Sequence, residues 1–368
     1  MKPILDPATG FKIGLFSANC SGGLAVTKVP ERWSASYEDN VALARLSDQL
    51  GIDFLLPIAR WIGYGGDTNF HGGVLDPVVL AAAQLAVTER LTVFSTIHTA
   101  FNHPLVAAKE LATLDQIGPG RAGLNVVAGW NKPEYEAMGV ELPTDHDRRY
   151  AMAQEWFEIV SRIWSESGSF DHEGEFYSLR GVEGDPKPRD GAVPILNAGS
   201  SPQGMDYAGH NASFLFTIVG DAASGKAKVD EIRDLARERY GREVGAFTPC
   251  HVVCRPSHEE AAEFLDYYAN ENADWAAVDN LMELQGMHAQ SFTPEMLETF
   301  RERFAAGHGT LPLIGTPDEV AATLIELAGA GFGGCTVSFV DYLGELPYFV
   351  EEVVPRLEAA GIRTPRTR

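Results

Sequence analysis

The stretch PLVAAKELATLDQIGPGRAGLNVVAG, residues 104–129, contains the helix and the strand whose order decides the fold. After Pro104, apolar side chains recur every three or four positions, which predicts an amphipathic helix that begins at a proline. Residues 121–129 form a short apolar run around Val126 and Val127, which predicts a buried strand. A helix that leads into a buried strand is the repeating unit of α/β proteins with parallel sheets.

Between this helix and this strand, residues 118–123 read GPGRAG and match the GxGxxG pattern of dinucleotide-binding loops. Such a loop must follow a strand and open a helix, because the pyrophosphate binds at the helix N-terminus. Here the glycines close a helix and precede a strand. The pattern therefore predicts a helix C-cap followed by a turn, and a Rossmann nicotinamide domain has no other support in the sequence.

The same alternation extends over the whole chain. Helix-length segments separate the apolar runs, and a 3.6-residue period is clear in residues 148–164 and 317–330. Parallel pairing with right-handed crossovers follows from this order, and eight units suit a closed barrel better than an open sheet. The predicted fold is a (β/α)8 TIM barrel of the α/β class. Its candidate strands are 12–17, 53–58, 91–99, 121–129, 194–198, 213–219, 247–254 and 335–340.

Two connections are longer than a simple βα unit, at about 130–187 after the fourth strand and about 256–313 after the seventh. Both follow the carboxyl end of a strand, which is the active-site face of such barrels. The second connection is helix-rich and polar, which is typical of a lid or a subunit contact. We expect one domain over residues 1–368, with these two connections as insertions.

Charge and composition restrict the class of partner. The formal net charge of −22 argues against nucleic acid and against an anionic membrane, because both would repel the protein. The N-terminus lacks the apolar region of a signal peptide, and no apolar run is long enough to span a bilayer. The four cysteines are scattered, which favours reduced thiols in the cytoplasm. We expect a cytoplasmic protein that acts on small molecules.

A metal site is not expected. Cys250 and Cys254 would share one face of a strand, but zinc needs two further ligands at suitable spacing. Residues 145–147 read DHD, and neighbouring residues rarely converge on one ion. They are more typical of the acidic start of a helix. The motifs HExxH, GxSxG and the P-loop do not occur, so hydrolase and phosphotransferase functions lack a starting residue.

Polar side chains stand at three neighbouring strand ends where a packed interior would hold Val or Ile. They are Arg60 after the second strand, Thr96 and His98 in the third, and Asn125 in the fourth. Each alone could be a satisfied core group, but together they predict a shared site. Asn125 offers a donor and an acceptor without charge, which suits a flavin ring or dioxygen. His98 and His103 are candidates for acid–base work.

Two loops add to this face. Residues 19–23, NCSGG, follow the first strand, where paired glycines allow close approach of a ligand, so we expect them to line the site. Residues 197–201, NAGSS, precede a helix at Pro202, and small hydroxyl residues before a helix N-terminus can form a phosphate cradle. Residues 129–135, GWNKPEY, begin a further helix, with Trp130 as an expected pocket wall.

Several segments together resemble the bacterial luciferase-like monooxygenases, most closely the pyrimidine monooxygenase subgroup. Dimethylsulfone, alkanesulfonate and dibenzothiophene-sulfone monooxygenases are relatives of that subgroup. The resemblance extends from about Lys12 to Leu357, and only the combination of segments is specific. The segments are DFLL at 53–56, RAGLNVVAGW at 121–130, KPEYEAMG at 132–139, RRY at 148–150, GTPDEV at 315–320 and VVPRL at 353–357.

This resemblance implies a two-component flavin-dependent monooxygenase. A separate NAD(P)H-dependent reductase would supply FMNH2, and this chain would use it with O2 to oxygenate a small heterocyclic, chlorinated or organosulfur compound. In the pyrimidine-type enzymes the oxygen is placed at flavin N5 rather than C4a. We also expect a homodimer or homotetramer, because barrels with exposed helices commonly associate.

The resemblance also implies site residues. Arg149, Tyr150 and Ser201 would face the flavin phosphate, where a guanidinium and hydroxyls suit a dianion. The dioxygen-side pocket, taken as the catalytic set, matches Leu56, Thr96 and Asn125, with Trp130 nearby. The residues that match flavin contacts are Ala59, Arg60, Asn125, Glu134, Arg149, Tyr150 and Ser201.

The chain departs from the pyrimidine subgroup at two places. Where those enzymes carry Ile-Lys, this chain has Ala59 and Arg60, and its loop 19–23 is more similar to the sulfone oxygenases. Apolar side chains near the strand ends could keep water from a reactive flavin, namely Phe16, Leu56, Phe101 and Trp130. Two alternatives stay open: a deazaflavin (F420)-dependent oxidoreductase on a related barrel, and a flavin-binding barrel without catalysis.

Overall fold

Eight parallel strands close into a barrel in the computed structural model of the chain, which describes residues 3–143, 145–287 and 294–365. Around the barrel the order is β1-β2-β3-β4-β7-β8-β9-β11, and β11 pairs again with β1. The predicted barrel is confirmed, since each predicted strand overlaps one of these eight. The strands are β1 (Lys12–Phe16), β2 (Phe54–Leu56), β3 (Thr92–His98), β4 (Ala122–Val127), β5 (Phe170–Glu173), β6 (Ser178–Val182), β7 (Ile195–Asn197), β8 (Phe214–Phe216), β9 (Gly245–Cys254), β10 (Leu311–Gly315) and β11 (Gly334–Ser338).

Helices surround the barrel, and capping side chains mark the residues at which several of them begin. Thr316 and Glu319 form a reciprocal capping box, and Asp145 accepts a hydrogen bond from Asp147 N as a cap. None of the helices in the described ranges has the length and apolar character needed to cross a bilayer. The helices are α1 (Tyr37–Leu50), α2 (Pro77–Ala86), α3 (Pro104–Ile117), α4 (Lys132–Ala137), α5 (His146–Ser165), α6 (Pro202–Asn211), α7 (Ala222–Tyr240), α8 (His258–Asp266), α9 (Trp275–Leu284), α10 (Pro294–Gly307), α11 (Pro317–Gly329), α12 (Tyr342–Glu352) and α13 (Val354–Ala359).

The turn between α3 and β4 has the structure that its position predicts. Gly118 is the C-cap of α3, and its N–H donates to the carbonyl of Leu114. Gly120 has a φ of 74°, in the left-handed region that glycine adopts at low cost. β4 begins at Ala122, so these glycines close a helix and do not open one.

The two long connections contain secondary structure of their own. The connection after β4 holds α4, α5 and the antiparallel pair β5–β6, which the sequence did not predict. The connection after β9 holds α8, a π-helical turn over Tyr267–Glu271, α9, α10 and β10. β10 was also missed, because the segment up to residue 313 was assigned to the insertion.

β9 pairs with three strands. Its first residues, 245–247, pair with β8, its middle, 247–251, pairs with β11, and its last five, 250–254, pair with β10. β8 and β10 therefore lie along the same edge of β9, one after the other. This arrangement holds the end of the second long connection against the barrel wall.

Aromatic side chains fill the barrel interior. The rings of Phe54 and Phe247 stack with centroids 5.2 Å apart, and Phe94 packs against Phe54 at 5.7 Å. Gly123 makes room for this packing, since a Cβ there would lie 2.5 Å from a ring carbon of Phe94. Phe216 belongs to the same cluster and reaches the cavity described below.

Candidate active site

A cavity of about 320 Å³ opens at the carboxyl ends of the barrel strands. This is the face on which barrels of this kind build their active sites. Its wall is mostly apolar, with polar side chains at a few points, as is usual for a site that binds an organic ligand. The lining residues are Phe16, Ile58, Ala59, Arg60, Thr96, His98, Asn125, Val127, Trp130, Ala198, Ser200, Phe216, Thr217, Ile218, Pro249, His308 and Thr310.

Thr96 and Asn125 form a hydrogen-bonded pair in this wall. They are register partners on β3 and β4, and Asn125 Nδ2 donates to Thr96 Oγ1 over 3.1 Å. The Thr96 hydroxyl in turn donates to the carbonyl of Pro57 at 2.5 Å. Asn125 Oδ1 is buried and has no hydrogen-bond partner among the described residues. The hydrogen bonds of Asn125 Nδ2 and of the Thr96 hydroxyl fix the orientation of the Asn125 amide. Asn125 Oδ1 remains available to accept from a ligand N–H.

Arg60 is the cation of the cavity wall, and Glu134 lies against it. The distance from Arg60 Nη1 to Glu134 Oε1 is 3.2 Å, which is ion-pair range although the angle does not make a hydrogen bond. The N–H of Trp61 also donates to Glu134 Oε1, at 2.9 Å. The guanidinium lies over the rings of Tyr64 and Trp130, 5.0 and 5.3 Å from their centroids. Glu134 is fully buried, and its carboxylate balances the charge that Arg60 presents to the cavity.

The loop after β4 brings Trp130 to the cavity. The hydroxyl of Tyr135 donates to the carbonyl of Ala128 at 3.1 Å and fastens this loop to the start of α4. Gly129 has a φ of 104°, and a Cβ there would lie 1.8 Å from Tyr135 Oη, so this bend requires glycine. Trp130 remains 39% exposed, which places it at the mouth of the cavity.

The two histidines named as acid–base candidates lie in different environments. His98 lines the cavity and stacks in parallel on Phe101, with centroids 5.4 Å apart. Burial, together with the charge of Arg60, lowers the pKa of His98 to about 3. It is therefore neutral at pH 7. His103 is exposed outside the cavity, where its Nδ1 accepts from Leu105 N as the N-cap of α3.

Of the expected phosphate residues, Tyr150 and Ser201 lie together at the start of α6 and Arg149 lies near Tyr150, and none of the three lines the cavity. Ser201 caps α6 by accepting from Gly204 N at 3.1 Å. Tyr150 Oη is close enough to this turn that a Cβ at Gly204 would lie 2.6 Å from it. Burial raises the pKa of Tyr150, and the nearby Arg149 charge opposes the rise. Arg149 is 7% exposed and has no ion-pair partner among the described residues. A largely buried guanidinium near Tyr150, whose hydroxyl lies at the first turn of α6, is a candidate for holding a phosphate.

Of the remaining candidates, Ala59 lines the cavity and Leu56 does not. Leu56 is buried in the aromatic cluster inside the barrel. The loop at residues 19–23 was expected to line the site, and it does not. Asn19 Nδ2 donates to the carbonyls of Ile58 and Leu75 instead, at 2.7 and 2.8 Å. This loop therefore supports the segment that carries Ile58 and Ala59, without reaching the cavity itself.

The sequence did not indicate the lining residues Thr217, Ile218, His308 and Thr310. Thr217 follows β8, so the rule that identified Thr96, a polar residue at a strand end, could have found it. His308 and Thr310 lie between α10 and β10, in the second long connection, and no local pattern marks them. Across the described ranges, no group of three or more His, Cys, Asp or Glu side chains could hold a metal ion.

Comparison with known proteins places the chain among related enzymes. The sequence profile of the luciferase-like monooxygenases matches residues 11–333. The FMNH2-dependent dimethylsulfone monooxygenase of Pseudomonas putida is 33% identical over 351 residues, which are 94% of each chain. Pyrimidine monooxygenase RutA of Escherichia coli O139:H28 is 28% identical over 354 residues, 94% of this chain and 89% of the relative.

A solved structure supports the fold. The crystal structure of riboflavin lyase RcaE with modified FMN and substrate riboflavin superposes with a TM-score of 0.86. The match covers 96% of this chain and 93% of the other, at 23% sequence identity. At this identity the match bears on the fold alone.

Proposed function

This chain belongs to the luciferase-like monooxygenase family, and we propose on that basis that it binds reduced FMN in the cavity and uses it with O2 to oxygenate a small organic compound. A separate NAD(P)H-dependent reductase supplies the FMNH2. The substrate is a heterocyclic, chlorinated or organosulfur molecule. Relatives named for dimethylsulfone and for pyrimidines, each matched over 94% of this chain, support this range.

The observation that carries the proposal is the unpaired Asn125 Oδ1 in the wall of the cavity. A buried polar atom without a partner is uncommon in folded proteins and calls for a ligand or water to pair with it. The isoalloxazine ring of a flavin presents N–H and C=O groups along one edge. Asn125, with its orientation fixed by Thr96, can hold that edge without adding charge.

The cofactor residues divide into two groups. Ala59, Arg60 and Asn125 are in the cavity wall and would contact the ring, and Glu134 balances the charge of Arg60. The buried Arg149 guanidinium, Tyr150 and Ser201 would hold the phosphate at the start of α6. Arg149 has no protein carboxylate to bind in the described ranges, which favours an external anion as its partner.

Dioxygen would be held beside Thr96 and Asn125, with Trp130 at the mouth of the pocket, whereas Leu56 lies beneath it in the barrel interior and does not contact the cavity. Apolar side chains such as Phe16 and Phe216 also line the cavity and would help to exclude water, which limits the loss of reactive oxygen as hydrogen peroxide. We propose that the oxygen is transferred by way of an adduct at flavin N5. We propose further that residues 1–368 form one domain, and that the protein is a cytoplasmic homodimer or homotetramer.

Mass spectrometry after incubation with ¹⁸O2 tests this function. The reaction contains the protein, a flavin reductase, NADH and FMN, with dimethyl sulfone and uracil as separate candidate substrates. Label in a product supports the monooxygenase. No label in that reaction, together with hydride transfer in a parallel reaction that contains F420 in place of FMN, would indicate the deazaflavin alternative. Tight binding of oxidised FMN with no substrate-dependent NADH consumption would indicate a flavin-binding barrel without catalysis.

A further inference from the structure

Three aromatic side chains that the proposed flavin contacts do not use lie together beside the cavity. Tyr64 and His71 come from the loop after β2, and His308 comes from the segment before β10. The ring centroids are 5.7 Å apart for Tyr64 and His71, 6.0 Å for Tyr64 and His308, and 5.7 Å for His71 and His308. We call these three residues the polar triad.

Each member of the polar triad has a buried polar atom without a hydrogen-bond partner in the described part of the chain. These atoms are Tyr64 Oη, His71 Nδ1 and His308 Nε2. His71 Nε2 lies 2.6 Å from the carbonyl of Gly23, so it carries the hydrogen, and Nδ1 is left as an acceptor. Three unpaired polar atoms in one buried cluster indicate a place where a ligand group or water binds.

The polar triad carries no charge at neutral pH. Burial lowers the pKa of His71 well below its usual value, and burial with the charge of Arg60 lowers the pKa of His308 to about 3. Burial raises the pKa of Tyr64 to about 12. Arg60 lies over the Tyr64 ring, 5.0 Å from its centroid, and Glu134 balances the charge of this cation. A charged ligand group here would therefore be buried without a counter-charge.

The triad meets the cavity at His308, which is part of the lining. His308 has a φ of 55°, in the left-handed region, which histidine adopts more often than most side chains do. Its backbone N–H donates to the carbonyl of Phe304 at 2.9 Å, so the end of α10 holds it in this conformation. This conformation ends α10 and sets the His308 side chain at the cavity wall.

We propose that Tyr64, His71 and His308 form the subsite that recognises an uncharged, oxygen-bearing group of the substrate, and that the protein therefore selects neutral substrates over anionic ones of the same shape. A carbonyl or sulfonyl oxygen can accept from the Tyr64 hydroxyl and from His308 Nε2 in the tautomer that carries its hydrogen there, while His71 Nδ1, an acceptor, can pair with an N–H of the same ligand. The assignment rests on the proposed function for the reaction, but the binding preference can be measured without turnover.

Matched pairs of ligands test the preference. Calorimetry is used to compare dimethyl sulfone with methanesulfonate, and uracil with orotate, on the protein with oxidised FMN and on the protein alone. The neutral member of at least one pair is expected to bind at least about tenfold more tightly. The proposal would be overturned if each anion bound as tightly as its neutral partner or more tightly, or if neither dimethyl sulfone nor uracil bound.

The variant Tyr64→Phe tests the subsite directly. It removes one hydroxyl that has no protein partner, so we expect an unchanged or higher melting temperature and about tenfold weaker binding of the neutral probe. Tyr207→Phe is the matched control, because Tyr207 is also buried with an unpaired hydroxyl but lies on α6, outside the cavity lining. Equal probe binding by Tyr64→Phe and wild type, or equal loss in both variants, would overturn the assignment.

A second variant, His308→Asn, is compatible with the left-handed backbone and shortens the polar group. It is also expected to weaken binding of the neutral probe about tenfold, with FMN affinity unchanged. The two proposals can fail separately. If Tyr64→Phe and His308→Asn both bind the probe more weakly but no product carries ¹⁸O, the monooxygenase proposal is contradicted and the subsite proposal is supported. If a product carries ¹⁸O but both variants bind the probe as wild type does, the subsite proposal is contradicted and the monooxygenase proposal is supported.

Discussion

Arg60 and Glu134 join the loop after β2 to α4 through an ion pair that is shielded from solvent on both sides, with side-chain exposures of 6% and 0%. In Glu134→Gln the guanidinium loses its counter-charge within the protein. We expect the free energy of unfolding to fall by about 3 kcal/mol or more, because an uncompensated buried charge is costly. Urea unfolding measures this loss.

The matched control for that change is Glu136→Gln on the same helix. Glu136 pairs with Lys132 at 3.5 Å, but both side chains are well exposed. An exposed pair of this kind contributes less than about 1 kcal/mol. Similar losses in the two variants would show that burial does not determine the strength of the Arg60–Glu134 pair.

The Thr96–Asn125 pair gives a prediction about coupling between NADH oxidation and product. In Thr96→Ala and in Asn125→Ala we expect product formed per NADH to fall at least about tenfold and hydrogen peroxide to rise, because the ligand edge and dioxygen lose their fixed partner. Thr96→Ser keeps the hydroxyl and should retain most of the coupling. If both alanine variants oxygenate with normal coupling, the assignment of the dioxygen pocket is wrong.

Arg149 gives a prediction about the phosphate. We expect wild type to bind FMN more tightly than riboflavin, and Arg149→Ala to reduce that ratio by about tenfold or more, because a charge-assisted hydrogen bond is lost. Arg148→Ala is the control, since Arg148 is exposed and pairs with Glu175 at 2.9 Å. Flavin fluorescence quenching gives both affinities. An unchanged ratio in Arg149→Ala would place the phosphate elsewhere.

Buried neutral histidines predict how stability depends on pH. The pKa of His98, His251 and His308 is lowered to about 3, mainly by burial, whereas the unfolded chain titrates near the ordinary value of 6.5. Between these values the unfolded chain binds protons that the folded chain does not. Stability is therefore lost as pH falls from about 6.5 toward 3, by up to about 1.4 kcal/mol per pH unit for each histidine.

Urea unfolding at pH 7, 6 and 5 measures this slope. His251→Asn removes one titrating group, and the slope should decrease by up to about 1.4 kcal/mol per pH unit. His258→Asn is the control, because His258 is exposed at the start of α8. The same slope in wild type and His251→Asn would contradict this account.

The eight barrel strands could be predicted because buried parallel strands appear in the sequence as short apolar runs. Their alternation with helices then indicates that neighbouring strands are parallel. β10 and the pair β5–β6 have no such signal. The residues of β5 and β6 are largely exposed, and β10 alternates between buried and partly buried positions inside a connection already assigned to an insertion. Their positions depend on pairing with other segments, which local pattern does not report.

The same distinction applies to the site. Thr96 and Asn125 could be found because a polar residue inside an apolar strand contrasts with its neighbours. His308 could not, since it reaches the cavity only through the pairing of β10 with β9, between residues about sixty positions apart in the chain. Leu56 was assigned to the pocket by resemblance, and its side chain lies in the barrel interior.

The division of β9 into two pairing zones has an evolutionary consequence. Closure of the barrel depends on residues 245–251, whereas the segment that presents His308 and Thr310 is anchored along residues 250–254. Insertions, deletions or exchange of the long connection can therefore reshape one wall of the cavity while β3 and β4 keep their register. The wall that carries His308 and Thr310 can therefore change its ligand contacts while the Thr96–Asn125 pair on β3 and β4 is inherited unchanged.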